Sequence, residues 1–242
     1  MNKIEIVNDK IVNSSILINN KKIVIEEDMK LNIDLKNSNI KLNIIIKDNI
    51  RVQIFEYGLS TDLDISYSIG KNSSLDLNRF YLNSNIKTSI IQKENSILNN
   101  NYSCISLNDN SYQIDVKNKK NSISNITNHG INLKDKLEFI VNGIIGKNDT
   151  NVISNQNSSI ILFEDSKGKI LPNFIIDNND VVANHSSYLG EFKEKEMFYL
   201  KARGIEEKTC YKMLARAFLL GNMNLECEDI NRVLVILDDF WR

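Results

Sequence analysis

Alternation of apolar and polar residues governs the first 190 positions of the chain. Leu31-Asn32-Ile33-Asp34-Leu35, Leu63-Asp64-Ile65-Ser66-Tyr67 and Tyr112-Gln113-Ile114-Asp115-Val116 repeat with period two and predict half-buried strands. Turn clusters separate them, among them Lys71-Asn72-Ser73-Ser74 and Asn108-Asp109-Asn110-Ser111. Apolar runs begin near Leu31, Leu42, Val52, Leu63, Leu75 and Ile86, at intervals of 11, 10, 11, 12 and 11 residues. Short strands at that spacing build a sandwich, a barrel or a β-solenoid. The run continues for about 180 residues without a helical pattern, and Asn-Ser pairs return at turn positions (Asn72-Ser73, Asn95-Ser96, Asn110-Ser111, Asn121-Ser122), as stacked coils with repeated corners would give. The period alone does not separate solenoid from sandwich.

After Gly190 the period becomes helical. Lys193 to Arg203 is predicted as a helix stopped by Gly204, and Glu206 to Leu220 as a second one followed by Gly221. The second helix is expected to bury Cys210, Met213, Leu214, Ala217 and Phe218, spaced i, i+3, i+4, i+7, i+8. A third is expected over Glu226 to Asp239, with Ile230, Val233, Leu234 and Leu237 on one face. Helices this short need partners for those faces, so they cap the β-region or dock another protein. The sequence thus divides into a β-domain, 1–190, and a helical segment, 191–242.

Composition sharpens the picture at the turns. The chain has one proline and nine glycines but 37 asparagines and 37 isoleucines in 242 residues. Asn tolerates positive φ better than other non-glycine residues, so a chain poor in Gly can turn at Asn. Ile supplies the β-branched side chains that suit strands. With 30 basic against 31 acidic side chains, the net charge of −1 gives no electrostatic case for nucleic acid or an anionic membrane. No apolar stretch is long enough to span a bilayer, and the charged, alternating start does not resemble a signal peptide; a cytoplasmic protein is expected.

The inventory of chemistry is small. Phosphate loops, GxGxxG, HExxH and GxSxG are all missing, so no nucleotide site and no familiar hydrolase follows. Cys104, Cys210 and Cys227 form neither a disulfide framework nor a zinc pattern. Cys104 reads as a strand residue, Cys210 as a buried helix residue and Cys227, between Glu226 and Glu228, as an exposed thiol. His129, in Asn128-His129-Gly130, reads as a turn residue. His185, at the junction of strands and helices, reads on its own as a hydrogen-bonded structural residue more often than as a ligand.

One stretch has a specific likeness. Phe139-Ile140-Val141-Asn142-Gly143, Pro172-Asn173-Phe174-Ile175-Ile176, Asp180-Val181-Val182-Ala183-Asn184-His185, Phe198-Tyr199-Leu200-Lys201-Ala202-Arg203-Gly204-Ile205 and Leu214-Ala215-Arg216-Ala217-Phe218 follow in an order and spacing that resembles the SufB/SufD family of iron–sulfur cluster assembly proteins. The resemblance covers about 80 residues, from Phe139 to Gly221. It implies a right-handed parallel β-helix with a small C-terminal helical domain, in agreement with the period and with the switch at residue 190.

The resemblance also implies a function: a non-catalytic scaffold subunit acting with a SufC-like ABC-type ATPase, as a homodimer or with a SufB/SufD paralogue. His185 matches the family histidine that follows Asp-Val, at the subunit interface of SufD-type members. It is the expected ligand for iron or a transient iron–sulfur cluster, with Glu191 as a further candidate. No cysteine lies between Cys104 and Cys210, so the assembly cysteine of SufB-type members has no counterpart. The ATPase would dock on the C-terminal helices, at Tyr199, Arg203, Gly204 and Phe218. A structural paralogue that carries no cluster, and an unrelated β-solenoid binding or filament module, are the alternatives.

Overall fold

The structure, a computed structural model, describes residues 2–240. Numbered in chain order, nine strands build one sheet: β1 (Asn2–Val7), β2 (Lys10–Ser14), β4 (Met29–Lys36), β6 (Arg51–Leu59), β8 (Ser74–Leu82), β10 (Ile97–Ser106), β12 (Ile123–Asn132), β14 (Val152–Leu162) and β16 (Val181–Gly190). Seven build the other: β3 (Lys22–Ile25), β5 (Asn39–Ile46), β7 (Asp62–Ile69), β9 (Asn85–Gln92), β11 (Asn110–Asn118), β13 (Lys136–Ile145) and β15 (Lys167–Ile176). From β3 onward the chain alternates between the sheets, and each strand pairs in parallel with the one a full coil away. This is a β-solenoid, the alternative the period left open.

The sequence interval of about 11 is one strand, and a coil is two. Arg51 pairs with Ser74 and Ser74 with Ile97, 23 residues apart each time; Ile123 and Ile153, in later coils, are 30 apart. Alternation then sends one phase of every strand into the lumen between the sheets, where Leu31, Ile33, Ile65, Leu75, Leu98, Ile114 and Val141 stack as aliphatic rows. The corners confirm the reading of the asparagines. Nine of the fourteen described non-glycine residues at positive φ are Asn, at 8, 20, 37, 49, 72, 83, 95, 121 and 151.

Two charged residues interrupt the aliphatic lumen. Glu56 and Arg79 fall on the inward phase one coil apart, both fully buried, with Arg79 Nε 2.7 Å from Glu56 Oε2. The hydroxyls of Tyr67 and Tyr81 also donate to Glu56. Burial first and the Glu56 charge second hold both phenols well above their ordinary range, so they remain protonated donors. Arg79 Nη1 reaches Thr88 Oγ1 at 2.8 Å and the Tyr112 hydroxyl at 3.3 Å. Gly58, paired with Tyr81, makes room for this arrangement: a Cβ there would lie 2.2 Å from the Tyr81 ring.

Helices α1 (Glu194–Lys201), α2 (Glu207–Leu220) and α3 (Cys227–Phe240) follow β16. Ala215 and Leu219 of α2 and Val233 and Leu237 of α3 pack on Phe55, Tyr57, Phe80, Ile105, Ile131 and Ile161 of the nine-stranded sheet's outer face. For α2 the expected face was misplaced. Cys210, Ala215 and Leu219 are buried, whereas Met213 and Ala217 are exposed. Leu214-Ala215-Arg216-Ala217-Phe218-Leu219-Leu220 is apolar nearly all round, so spacing alone could not choose the face. On α3, Val233 and Leu237 are buried as expected, with Ile230 and Leu234 at the margins. Among the described residues no helix is long and apolar enough to cross a membrane.

Candidate functional site

The two ends of the solenoid differ. At the first coil, Ile16 and Ile18 fold over the aliphatic core, and β2 turns back antiparallel on β1. Among the described residues nothing of this kind follows the last coil. β15 and β16 are the edges of their sheets, and Leu189, Val182 and Ile175 are 47%, 53% and 60% exposed.

His185 lies in the middle of β16. Its strand neighbours show which way it points. In β14 the buried residues Val152, Ser154, Gln156, Ser158 and Ile160 pair with Val181, Ala183, His185, Ser187 and Leu189. His185 is therefore on the lumen-facing phase, exposed because no coil covers it, with the Phe174 ring 6.2 Å away. Glu191 lies just beyond β16, where its backbone carbonyl accepts the Tyr188 hydroxyl at 2.7 Å. Glu191 also lines a cleft of about 400 Å³ with Phe192, Lys193, Leu214 and Phe218. Among the described residues, no three His, Cys, Asp or Glu side chains come together as a metal-binding group. One chain thus offers this end a single imidazole.

The thiols stand elsewhere. Cys104 faces the lumen of β10, where burial pushes its pKa up to about 12, far from a thiolate. Cys210 is buried on α2. Cys227 is exposed but opens α3, next to Glu226 bridged to Lys30 of β4. Since β4 and β16 are six strands apart in one sheet, about 29 Å at 4.8 Å per strand separates them.

The helices are fixed to the sheet by two polar clamps. For α3, Asp229 accepts from Asn32 Nδ2 at 3.2 Å, and Arg232 reaches Asp34 at 2.8 Å while lying over the Tyr57 ring. For α2, Ser103 Oγ donates to Leu219 O and His129 Nδ1 lies 2.6 Å from Phe218 O, both at carbonyls the helix end leaves free. His129 is thus a strand residue of β12, not the turn residue expected. The following glycine was misleading: Gly130 faces the lumen, where a Cβ would meet Leu137 and Phe139. Sequence reasoning missed these clamps because partners such as Asn32 and Asp229 are 197 residues apart.

The ATPase-docking candidates are distributed unevenly. Helix α1 buries no residue; Phe198 and Tyr199 are 74% and 53% exposed, and the Arg203 guanidinium stacks on Tyr199, 4.0 Å from its ring centroid. Gly204, at φ 79°, ends the turn as expected. Phe218 is only partly exposed, stacked on His129 and edge-on to Phe192.

A parallel β-solenoid followed by a small C-terminal helical segment is the fold that the sequence likeness implied. The family model for the SufBD core domain of the SUF system of FeS cluster assembly matches residues 67–218, more than half of the chain. The chain belongs to the SufBD family. The iron–sulfur cluster assembly protein SufD of Bacillus subtilis is 30% identical over 114 residues, 46% of this chain and 26% of that protein. An iron–sulfur cluster assembly SufBD family protein of Mycobacterium leprae is 33% identical over 63 residues, 26% of this chain and 16% of that one. The matched segments thus span about a quarter or less of these relatives.

Proposed function

We propose that the chain is a non-catalytic scaffold subunit of a cytoplasmic iron–sulfur cluster assembly complex, handling iron or a nascent cluster as cargo at the open end of the solenoid. The observation that carries this reading is the position of His185, on the lumen-facing phase of an uncapped terminal strand, in a chain of the SufBD family. Neutral imidazole is a ligand of intermediate softness suited to iron. One imidazole does not hold iron alone, so the open end would act as an interface, with a second copy or a paralogue supplying further ligands and Glu191 at its margin. The energy source would be a SufC-like ABC-type ATPase docked on the exposed α1 side, at Tyr199, Arg203 and Gly204, with Phe218 setting the position of α2. This chain would bind no nucleotide.

A second reading has its own support. The exposed thiol stands at the far end of the solenoid and the others are buried, which suits a paralogue that holds the complex together while another subunit carries the cluster. Anaerobic reconstitution with iron and sulfide separates the two. His185→Ala should keep its fold and its ATPase binding and lose iron; full retention of iron would leave only the structural role.

A further inference from the structure

The corner that leads from the seven-stranded sheet back to the nine-stranded one is lined on its inner side by the last residue of each incoming strand. Ile25, Ile46, Ile69 and Ile145 end β3, β5, β7 and β13 in this way and are buried. Between them the sequence places two amides, Gln92 at the end of β9 and Asn118 at the end of β11, both 0% exposed. The two strands pair in parallel up to Ile91 and Lys117, so Gln92 and Asn118 are neighbours, about 4.8 Å apart across the sheet. The coil widens at the same place. The corner residues Asn72, Asn95, Asn121 and Asn151, joined in line by their side-chain amides, are 23, 26 and 30 residues apart.

Four buried side-chain atoms at this corner have no hydrogen-bond partner among the described residues: Gln92 Oε1, Asn118 Oδ1, Asn118 Nδ2 and Ser122 Oγ. The Gln92 amide cannot turn round to relieve this. Its Nε2 donates to the backbone carbonyls of Ser96 at 3.3 Å and Ile123 at 3.0 Å, and a carbonyl only accepts. In the preceding coil the equivalent hydroxyl, Ser96 Oγ, donates to Lys93 O at 2.7 Å, a bond that Ser122 does not repeat.

We infer that this corner binds two internal water molecules. One donates to Gln92 Oε1 and accepts from Asn118 Nδ2; the other donates to Asn118 Oδ1 and accepts from Ser122 Oγ. Each then has the two polar partners that a buried water needs, and all four side-chain atoms are satisfied. An ion fits worse. A cation on the three oxygens would strand the Asn118 Nδ2 donor, and the carboxylate of the next turn, Asp149, is already held by Lys119 at 3.1 Å and by Gly146 N at 3.2 Å. An anion would face the carbonyl oxygens of both amides. Water alone both donates and accepts at each point, and it ties the turn after β9 to the turn after β11 where the coil widens.

The test is a high-resolution crystal structure of the full chain, together with water relaxation dispersion in solution to count long-lived internal molecules. Density for two waters bridging these atoms is expected. Asn118→Ile, which copies Ile69 and Ile145, should lose both and lower the dispersion by two waters per chain; the milder Ser122→Ala should lose one. A map in which Asn118 bonds Gln92 directly, with no water between them, would overturn the inference. So would a single density at metal–oxygen distances from Gln92, Asn118 and Ser122, or a dispersion that Ser122→Ala leaves unchanged.

Discussion

Phe218 O, at the end of α2, and His129 Nδ1, on the outer face of β12, lie 2.6 Å apart, and the two side-chain rings stack at 4.4 Å. Burial is the main influence on this imidazole and lowers its pKa from the ordinary 6.5; the bond to Phe218 O partly opposes the shift. The native state therefore resists protonation more than the unfolded chain does. Its contribution to stability is fully present above the ordinary pKa and is lost as pH falls through the lowered value. Thermal unfolding followed from pH 8 to pH 5 should show a decline that His129→Gln, which can still donate but does not titrate, makes shallower. Equal declines would remove His129 as the cause.

The Glu56–Arg79 pair makes a second prediction. Removing one member alone, as Glu56→Gln or Arg79→Met, leaves a strained or uncompensated group in the lumen and should cost about 3–5 kcal/mol. Replacing both with apolar residues of similar volume should cost far less than the sum. Denaturant unfolding of the two single variants and the double variant measures the coupling, and additive losses would contradict it.

On the outer face of the nine-stranded sheet Asn125 donates its Nδ2 to Asn99 Oδ1 at 3.0 Å, and this bond predicts an asymmetry between two small substitutions. Asn125→Asp keeps the shape but turns a donor into an acceptor facing the Asn99 carbonyl, while Asn125→Ser merely shortens the side chain. Asn125→Asp should be the more destabilising at neutral pH, by about 1–2 kcal/mol. Lowering the pH enough to protonate the new carboxyl should narrow the gap, as chemical unfolding at two pH values would reveal.

On the helical cap, Arg203→Glu reverses the charge that stacks on Tyr199. Under the proposed docking, it should weaken capture of a SufC-like ATPase on the order of tenfold without changing thermal stability. Undiminished capture by a chain lacking residues 193–242 would place the ATPase elsewhere.

Much of this was legible because the solenoid writes its repeat into the chain. Leu31, Leu75 and Val141 announce the lumen through period two, and Asn49, Asn72 and Asn95 announce the corners. Even the buried ion pair was within reach. Glu56 continues the phase of Val52 and Ile54, and Arg79 that of Leu75 and Leu77, at the 23-residue separation of their neighbours. What stayed hidden depends on the helices. Their faces are chosen by a sheet surface assembled from Phe55, Phe80 and Ile105, far apart in sequence, and the bonds of Ser103 and His129 to α2 involve backbone carbonyls that carry no residue signature. His185 was found through likeness; its phase in β16 became evident only from the pairing with β14.

The closing of the first coil by Ile16 and Ile18 sets the valence of the molecule. A stack of parallel coils is by nature an unterminated polymer, since each added coil recreates the surface that accepted it. Here one end is stoppered by its own aliphatic side chains and guarded by β2, five exposed residues long and carrying Lys10. A unit with a single reactive end can join one other and then has none left. Under the proposed reading of the open end as an interface, growth would stop at two, and an edge that would otherwise invite fibres would yield a closed pair.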